Sequence, residues 1–376
     1  MLLCWICKKM QKNKNILEVC FSPDLGGLEL YMQSCAKDLS TDFNVLSVIN
    51  KNSKLKNYFE NSDYNFVELK RRGSFSIRLI WKLSKIIDEH KTDIIHFHWT
   101  KDLPIIVFAK LLSKQKPKII QTRHMIMTRF KNDFYHKFLY KNVDTIICVT
   151  KELENQIQKF ISSDIRPKTE VLYLGVKDAY YFSKQEIQKQ KEELRVENSF
   201  MVGFVGRINE PKGQYLLIEA MKELIKQGLD IKAYFVGSAM DESYLYLLKQ
   251  KVKDYELEDK IFFLGFIKEP NKFMQTCDVI VAASKNETFG LVVIEAMNNK
   301  TAVIASKNGG FLEIIDDEKN GLLFENQNSK DLASKIEVLY KNNDYKNLIA
   351  LNGKQKVNEI FNHDKQFEKL KSLFLN

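Results

Sequence analysis

The sequence has few cysteines, and their spacing excludes most cysteine chemistry. Of six cysteines, only Cys4 and Cys7 form a C-x-x-C pair. That pair has no second pair to complete a zinc site and precedes any βαβ unit, so it predicts neither metal binding nor redox catalysis. We expect a reduced, cytoplasmic compartment.

Long hydrophobic runs and the dinucleotide glycine fingerprint are also absent. The opening Met1 to Cys7 is apolar, but it is far too short to cross a bilayer. It also lacks the basic-then-apolar order of a signal peptide, so we interpret it as a tail rather than a membrane-surface anchor. Without G-x-G-x-x-G, a nicotinamide cofactor is disfavoured.

Excess positive charge is confined to the first half of the chain. The whole sequence carries +10, but residues 1–175 hold 29 Lys and Arg against 18 Asp and Glu, a net of +11, which leaves −1 for the remainder. A basic half predicts an anionic partner. With no nucleic-acid motif, we expect an anionic membrane surface or a phosphorylated acceptor. The predicted patch is Lys70-Arg71-Arg72 with Arg78 and Lys82; the alternative is generic surface lysine.

Strand-like and helix-like segments alternate through both halves. Runs such as Ile16 to Ser22 and Phe200 to Val205 are apolar, as buried parallel strands are. The alternation predicts an α/β protein with two doubly wound parallel sheets. The predicted divisions are a first domain over 1–175, a linker over 176–198, a second domain over 199–360 and a C-terminal helix over 361–376. Two local predictions are a strand over Val171 to Leu174 and a hairpin-like surface turn over Asn320 to Phe324.

Two carboxylates, Glu287 and Glu295, flank the predicted end of a strand and start of a helix. Asp278 to Ser284 has the pattern of a buried strand, and Leu291 to Met297 that of a helix. We therefore expect Glu287 in the connecting loop and Glu295 about two turns into the helix. Free backbone N–H groups are expected at Phe289, Gly290 and Leu291, where anions bind well. Carboxylates at such a strand end suit a polyhydroxylated ligand, whereas the alternative is two solvated surface charges.

Two cations follow the first strand of the second half. Arg207 lies at the strand end and Lys212 five residues later, before a helix. A guanidinium fork and a point charge together suit a diphosphate, although two exposed basic residues in a loop would have the same spacing.

Glycines at other strand ends mark further candidate contacts. Gly26 and Gly27 open a helix after the first strand, where a ligand can approach the backbone; a plain tight turn is the alternative. Asn308-Gly309-Gly310 is similar to another phosphate-facing turn. Phe266 follows a glycine-bearing strand end and is a candidate for lining a nucleoside base.

Histidines lie at strand ends in the first half. His124 should point away from its strand toward a ligand. His96-x-His98 has the spacing of two metal ligands, but two ligands without a third favour hydrogen bonding or packing instead.

Taken together and in this order, these motifs resemble the retaining, nucleotide-sugar-dependent glycosyltransferases of family four, which have the GT-B fold. The resemblance runs from about Asn15 to the C-terminus. Its strongest parts are Val205-Gly206-Arg207 with Lys212-Gly213, Glu287 to Gly290 with Glu295-Ala296-Met297, and Gly309-Gly310 with Glu313. The family's small-Gly-Pro sequence after the second Glu is replaced by Asn299, Lys300 and Ala302, which predicts a changed helix end with Asn299 as a left-handed cap.

The resemblance implies two Rossmann-like domains facing a cleft and assigns roles to individual residues. Arg207 and Lys212 would hold the donor diphosphate, and Glu287 the donor-sugar hydroxyls, beside the backbone of Phe289, Gly290 and Leu291. Glu295 would bind the ribose diol. The turn at Gly26 and Gly27 would admit the donor phosphates, His124 would lie near the transferred sugar, and His98 would face the acceptor.

The predicted function is transfer of a hexose-like sugar from a nucleotide diphosphate sugar, such as a UDP-sugar, to a surface-glycan or glycolipid acceptor. Lipopolysaccharide core, O-antigen and lipid-linked oligosaccharide are the acceptor classes considered. Because Asp-x-Asp is absent, we expect no metal and no cofactor besides the donor co-substrate. The expected location is the cytoplasm, with peripheral attachment to the plasma membrane as an option. The alternatives are a nucleotide-sugar epimerase and a non-catalytic two-lobed sugar-binding protein.

Overall fold

The structure is a computed structural model that describes residues 14–60, 64–73 and 75–375. Cys4, Cys7 and the predicted tail lie outside the described residues. By its contacts the chain forms two units: the first runs to Leu172 and resumes at Phe367, and the second is Tyr173–Gln366. No helix in the described ranges is both long and apolar enough to span a bilayer.

Strands and helices alternate along both units. The strands are β1 Asn15–Cys20, β2 Asn44–Asn50, β3 Phe66–Leu69, β4 Ile94–Phe97, β5 Lys118–Arg123, β6 Thr145–Cys148, β7 Lys168–Val171, β8 Phe200–Val205, β9 Ile231–Val236, β10 Ile261–Gly265, β11 Val279–Ala282, β12 Ala302–Ser306 and β13 Leu322–Phe324. The helices are α1 Gly27–Leu39, α2 Lys56–Glu60, α3 Ile77–Glu89, α4 Leu103–Leu112, α5 Phe134–Lys141, α6 Lys151–Phe160, α7 Lys184–Glu193, α8 Gln214–Lys226, α9 Glu242–Asp254, α10 Asn271–Thr276, α11 Leu291–Asn298, α12 Phe311–Ile314, α13 Ser329–Lys341, α14 Asn343–Ile360 and α15 His363–Leu375.

The first unit is built on a seven-stranded parallel sheet in the order β3-β2-β1-β4-β5-β6-β7. In its register, Ile16 of β1 lies opposite Val45 on one side and Ile94 on the other. Central strands of such a sheet are covered on both faces, which explains why β1 and β4 are mostly apolar and why their polar residues Glu18 and His96 are buried. Helix α15, from Phe367 onward, completes this core with Phe367, Leu370 and Phe374, all buried.

The second unit is built on a six-stranded parallel sheet in the order β10-β9-β8-β11-β12-β13. Its core joins β8, β9, β11 and β12 to the inner faces of α8, α13 and α14. The predicted α/β fold with two doubly wound parallel sheets is therefore confirmed.

Two local predictions are wrong, and both concern short strands at sheet edges. The last strand of the first unit is Lys168–Val171 rather than Val171 to Leu174. Among the described strands it pairs with β6 alone, and it stays partly exposed, so a polar sequence is sufficient there. The predicted surface turn at Asn320 to Phe324 instead contains β13, whose three residues are buried beside β12.

The segment 176–198 is more structured than a linker. It contains α7, which begins with a capping box at Ser183 and Glu186, and it lies within the second unit. The Thr276 hydroxyl donates to the side-chain oxygen of Gln190, which fastens this helix to α10. At the end of α11, the left-handed residue is Lys300 (φ 57°), whereas Asn299 has φ −83°.

Candidate functional site

The second sheet has a topological switch point between β8 and β11. Strands β9 and β10 lie on one side of β8, while β12 and β13 lie beyond β11. Because all these strands are parallel, the loops that follow β8, β11 and β12 emerge at the same edge. Open α/β sheets bind ligands at the carboxyl ends of strands at such a point.

Two residues predicted from separate motifs meet at this edge. Lys212 Nζ lies 2.8 Å from Glu287 Oε2, and Ser284 donates its hydroxyl to the same oxygen at 2.9 Å. The backbone N–H of Glu287 in turn donates to Asn308 Oδ1 at 3.0 Å. The pair is partly exposed, at 29% for the lysine side chain and 16% for the glutamate, so it is accessible to a ligand.

Glycines let the three loops approach this closely. Gly213 has φ 76°, and a Cβ there would lie 2.1 Å from the carbonyl oxygen of Ala283. Gly309 has φ 47°, and its Cβ would lie 2.0 Å from the carbonyl oxygen of Glu287. Only glycine adopts these angles without strain and leaves room for the neighbouring backbone. Asn308, which sequence analysis treated only as part of a turn, is the side chain that joins the β12 loop to Glu287.

Arg207 is exposed at the start of the β8 loop. Its carbonyl accepts a hydrogen bond from Gln214 Nε2 at 2.9 Å, which fixes the backbone. Among the described residues, none forms a salt bridge with its guanidinium. The loop therefore presents one anchored cation, Lys212, and one unpaired cation.

The helix that follows β11 begins as predicted. Gly290 has φ 105°, and a Cβ would lie 2.6 Å from the ring of Phe311. No described residue accepts a hydrogen bond from the N–H of Phe289, Gly290 or Leu291, so three donors remain available at the helix start. The Phe289 side chain is buried and contacts Phe361, with ring centroids 6.0 Å apart, so only its backbone can serve a ligand.

Glu295 lies just over one turn into α11, not two as predicted. It is half-buried, and no described residue hydrogen-bonds its carboxylate. Desolvation by burial raises the pKa of Glu295 to about 7. An unpaired, desolvated carboxylate at this position is available to accept hydrogen bonds from a ligand's hydroxyl groups.

Phe266 follows β10, which lies two strands from β8. Its side chain is 67% exposed, so it does not pack in the core and leaves a large apolar surface open to solvent. Gly265 before it has φ 73°, and its carbonyl accepts from the N–H of Gly237 at 2.8 Å. This contact links the β10 loop to the β9 loop.

The first sheet has its own switch point, between β1 and β4, and a buried polar cluster lies beneath it. Glu18 accepts hydrogen bonds from His96 Nδ1 at 2.8 Å and from His98 Nε2 at 2.9 Å. His96 Nε2 lies 2.7 Å from the hydroxyl of Thr122. Sequence analysis missed Glu18; its only signal is a single charged residue within the apolar strand Ile16-Leu17-Glu18-Val19.

The cluster also controls the protonation of the histidines. Burial alone would raise the pKa of Glu18, but the charge and hydrogen bond of His96, with those of His98, hold it below its ordinary value. Burial lowers the pKa of His98 to about 4, so this ring is neutral at pH 7 and donates from Nε2. His98 is fully buried in the structure, so the prediction that it faces an acceptor is wrong.

His124 lies next to this cluster but is half-buried. Its ring is 5.3 Å from Tyr31 and 5.8 Å from His98, and burial lowers its pKa well below the ordinary value. Its Nε2 atom has no hydrogen-bond partner among the described residues. The ring is thus neutral and keeps one polar atom unsatisfied.

The same cluster contains the best candidate metal ligands of the described residues. Ligand atoms of Glu18, Cys35, His96 and His98 all lie within 4.8 Å of one another. Both carboxylate oxygens of Glu18 and both nitrogens of His96 already have protein hydrogen-bond partners. Hydrogen bonding therefore accounts for the arrangement, in line with our interpretation of His96-x-His98.

The turn after β1 has space around it. Gly26 caps α1 with extended backbone angles, and no atom of the described residues lies within 4 Å of a Cβ built on Gly27. Packing against the described residues therefore does not require glycine at position 27.

One member of the predicted basic patch is not a surface charge. Arg71 forms a buried salt bridge with Asp102, donates to the carbonyls of Gly73 and Lys101, and stacks over the Trp99 ring at 4.4 Å. Its side chain is 6% exposed. The prediction of Arg71 as a docking cation is therefore wrong.

The chain is similar in sequence to known glycosyltransferases. The sequence profile of "Glycosyl transferases group 1" matches residues 185–356, and that of "Glycosyl transferase 4-like" matches residues 18–150. An uncharacterized glycosyltransferase of Methanocaldococcus jannaschii is 29% identical over 352 residues, covering 91% of this chain and 92% of its own. The capsular polysaccharide biosynthesis glycosyltransferase CapM of Staphylococcus aureus is 23% identical, with 87% and 88% covered.

A solved structure shows the same fold. Anabaena HepE, crystallised in complex with UDP and glucose, superposes with a TM-score of 0.85 at 24% identity, covering 96% of this chain and 99% of HepE. Two matched profiles, full-length relatives and a shared two-domain α/β architecture agree. The chain therefore belongs to the group 1 glycosyltransferases of the family-four type, with the GT-B fold.

Proposed function

We propose that this glycosyltransferase transfers a hexose-like sugar from a UDP-sugar to a surface-glycan acceptor, with retention at the anomeric carbon. The observation that carries the proposal is the Lys212–Glu287 ion pair at the switch point of the second sheet, with the exposed and unpaired Arg207 in the same loop after β8. The choice of UDP is supported by HepE, which binds UDP and glucose. The acceptor class is supported by CapM, which is named for capsular polysaccharide biosynthesis.

The two cations suit the diphosphate of such a donor. Arg207 is free to form a bidentate contact, and Lys212 supplies a point charge beside it. The N–H groups of Phe289, Gly290 and Leu291 add neutral donors at a helix start, where negative charge is favoured. Glu287, held by Lys212 and Ser284, is oriented to accept hydrogen bonds from sugar hydroxyls, and Glu295 from the ribose diol.

Retention does not require a protein nucleophile in this proposal. The bond between the anomeric carbon and the leaving phosphate oxygen breaks, and the acceptor oxygen bonds to the same face of that carbon. The acceptor's proton passes to the leaving phosphate oxygen. Arg207 and Lys212 stabilise the negative charge that develops on the diphosphate, which is the step that preorganised cations accelerate most. We propose that no metal ion is needed there.

Roles in the first unit follow from the family resemblance. We assign His124 to the transferred sugar and the Gly26–Gly27 turn to the donor phosphates. The acceptor is proposed to be a glycan or glycolipid. Four buried cysteines are free thiols, at Cys20, Cys35, Cys148 and Cys277. Free thiols fit a reducing compartment, so we propose a cytoplasmic location.

The experiment that tests this function separates binding from transfer. Thermal shifts with UDP, GDP and ADP and their sugars identify the donor, and the proposal expects stabilisation by UDP compounds. Release of free UDP is then followed with and without candidate glycan acceptors. Release that depends on an acceptor supports transfer. Conversion of the donor sugar without UDP release would instead identify an epimerase and contradict the proposal.

A further inference from the structure

Helix α3 of the first unit has two unlike faces. Its inner face packs into the core through Leu79, Ile80, Leu83 and Ile87, all buried. Its outer face carries Ile77, 75% exposed, and Trp81, 52% exposed, one turn apart. Single exposed apolar side chains are common on protein surfaces, but a contiguous patch of them marks an interaction surface.

Cations share that outer face. Arg78, Lys82 and Lys85 are exposed, and Lys85 Nζ lies 5.0 Å from the centre of the Trp81 ring. Among the described residues, no carboxylate pairs with these three cations. Asp88 faces elsewhere, since its carboxylate accepts from the Ser113 hydroxyl and the Lys114 N–H. The outer face is therefore apolar and positively charged from Ile77 to Lys85, and the exposed carboxylate of Glu89 follows at the end of the helix.

The apolar surface continues from α3 to α5. The Phe75 ring, 53% exposed, lies 5.3 Å from Phe108, which lies 5.6 Å from Phe138. Phe134, one turn before Phe138 on α5, is 87% exposed. We define the outer face of α3 together with Phe75 and Phe134 as the α3 face.

We propose that the α3 face docks the protein on an anionic lipid membrane. Aromatic and branched apolar side chains insert at the headgroup level, and the interleaved cations contact anionic headgroups. The charge distribution agrees, because the first half of the sequence holds all of the net positive charge. An acidic protein would match the cations but not the exposed apolar side chains of Ile77, Trp81 and Phe134.

Membrane docking deepens the proposed function, because a glycolipid acceptor would lie in the membrane. Only this link to the acceptor rests on the proposed function. Vesicle binding needs neither donor nor acceptor. A failure of membrane docking is therefore distinguishable from a failure of sugar transfer, which UDP release reports with a water-soluble acceptor.

The test is cosedimentation with vesicles of phosphatidylcholine alone or with phosphatidylglycerol, at low and high salt. We expect binding to the anionic vesicles that weakens with salt. Ile77→Ala/Trp81→Ala should bind at least about tenfold more weakly, since it removes the inserted apolar area. Replacing Arg78, Lys82 or Lys85 with alanine should weaken binding to the anionic vesicles by about fivefold for each residue.

A matched control lies in the second unit. Tyr246 and Leu247 on α9 are each 62% exposed, one aromatic and one aliphatic. Tyr246→Ala/Leu247→Ala should bind vesicles like the wild type, and circular dichroism should show that both double variants fold. Wild-type protein that stays in the supernatant, or equal loss in both variants, would overturn the proposal. Equal binding to neutral and anionic vesicles would overturn its electrostatic part.

Discussion

At the scale of single residues, the site is described best by what each carboxylate contacts. Glu287 is tied to Lys212 and Ser284, whereas Glu295 has no described partner. The two carboxylates predicted from one motif therefore differ in environment. The contacts of Glu287 hold its carboxylate in one orientation. The carboxyl group of Glu295, with a pKa of about 7, changes its protonation state near neutral pH.

Replacing Glu287 with Gln should abolish most transfer without unfolding the protein. The isosteric amide can still contact Ser284 but loses the charge that orients Lys212. We expect the rate of UDP release to fall by about 10²–10³, the usual effect of removing one preorganised electrostatic contact. The melting temperature should change little, since a partly exposed ion pair contributes about 0–1 kcal/mol.

The control for this change is Glu219→Gln. Glu219 forms a comparable, partly exposed pair with Lys251 at 2.6 Å, but on the helices α8 and α9 rather than in the switch-point loops. It should keep wild-type transfer. Loss of transfer in both variants would show that any lost ion pair in the second unit has this effect, and would remove the specific role of Glu287.

Glu295 should make donor binding depend on pH. A carboxylate accepts from a ribose diol when ionised, and with a pKa of about 7 it is mostly protonated at pH 6. UDP affinity should therefore rise between pH 6 and pH 8 more steeply in the wild type than in Glu295→Gln, as measured by calorimetry. Parallel pH profiles would mean that only the nucleotide's own ionisation matters.

The same group links stability to pH with a defined sign. Because the folded-state pKa of Glu295 lies above the ordinary value of 4.5, the folded protein holds the proton more tightly. Its contribution to the unfolding free energy is fully present below about pH 4.5 and is lost as the pH rises through about 7. Glu295→Gln should therefore lose less stability than the wild type between pH 5 and pH 8, as urea unfolding would show.

At the scale of the secondary-structure elements, glycines in the two units have different roles. Gly213→Ala places a Cβ against the Ala283 carbonyl at a left-handed position. It should lower the unfolding free energy by about 2 kcal/mol or more. In Gly27→Ala the new Cβ at the first residue of α1 meets no described atom. The unfolding free energy of this variant should therefore be unchanged or higher by up to about 1 kcal/mol.

Gly27→Ala should nevertheless weaken turnover if the donor phosphates approach that helix start. The measurement pairs a urea unfolding curve with steady-state UDP release. A folded Gly27→Ala variant with wild-type rate would refute the assignment of Gly27 to the donor. Loss of both stability and activity would contradict the open space seen around this residue.

The sequence predicts the regular elements of this protein better than its edges and contacts. Strand β8 and helix α11 follow from mostly apolar segments, interrupted only at Gly203 and Glu295, that end at glycine or asparagine. Strand β13 has only three residues, and the Asn320-Gly321 pair before it led to the prediction of a turn. Strand β7 is polar because it lies at a sheet edge. Short elements carry too few residues to show a period.

Contacts within the site were only partly predictable. The motifs indicated Arg207, Lys212 and Glu287. The ion pair between Lys212 and Glu287, however, forms because β8 and β11 are neighbours in the sheet, and the sequence does not show the order of the strands. Glu18 was missed because its hydrogen-bond partners are distant in sequence: His96 lies 78 residues away and His98 lies 80 residues away. A local pattern therefore cannot show that this buried carboxylate has partners. Arg71 was taken as a surface charge because its partner Asp102 is distant in sequence.

At the scale of the whole molecule, the proposal concerns charge supplied by the protein rather than by a metal. Transfer should survive saturating EDTA if, as we propose, Arg207, Lys212 and the α11 N–H groups stabilise the leaving diphosphate. The check compares UDP release before and after chelation. Complete loss that magnesium or manganese restores would contradict metal-independent transfer.

The central claim is that the loops after β8 and β11 bind the donor diphosphate, and calorimetric titration with UDP tests it most directly. Arg207→Ala and Lys212→Ala should each weaken UDP binding by about tenfold or more, the usual cost of losing a charge-assisted contact. Lys249→Ala, which removes an exposed cation from α9 of the same unit, should bind UDP like the wild type. Undiminished UDP affinity in folded Arg207→Ala and Lys212→Ala proteins would contradict the account.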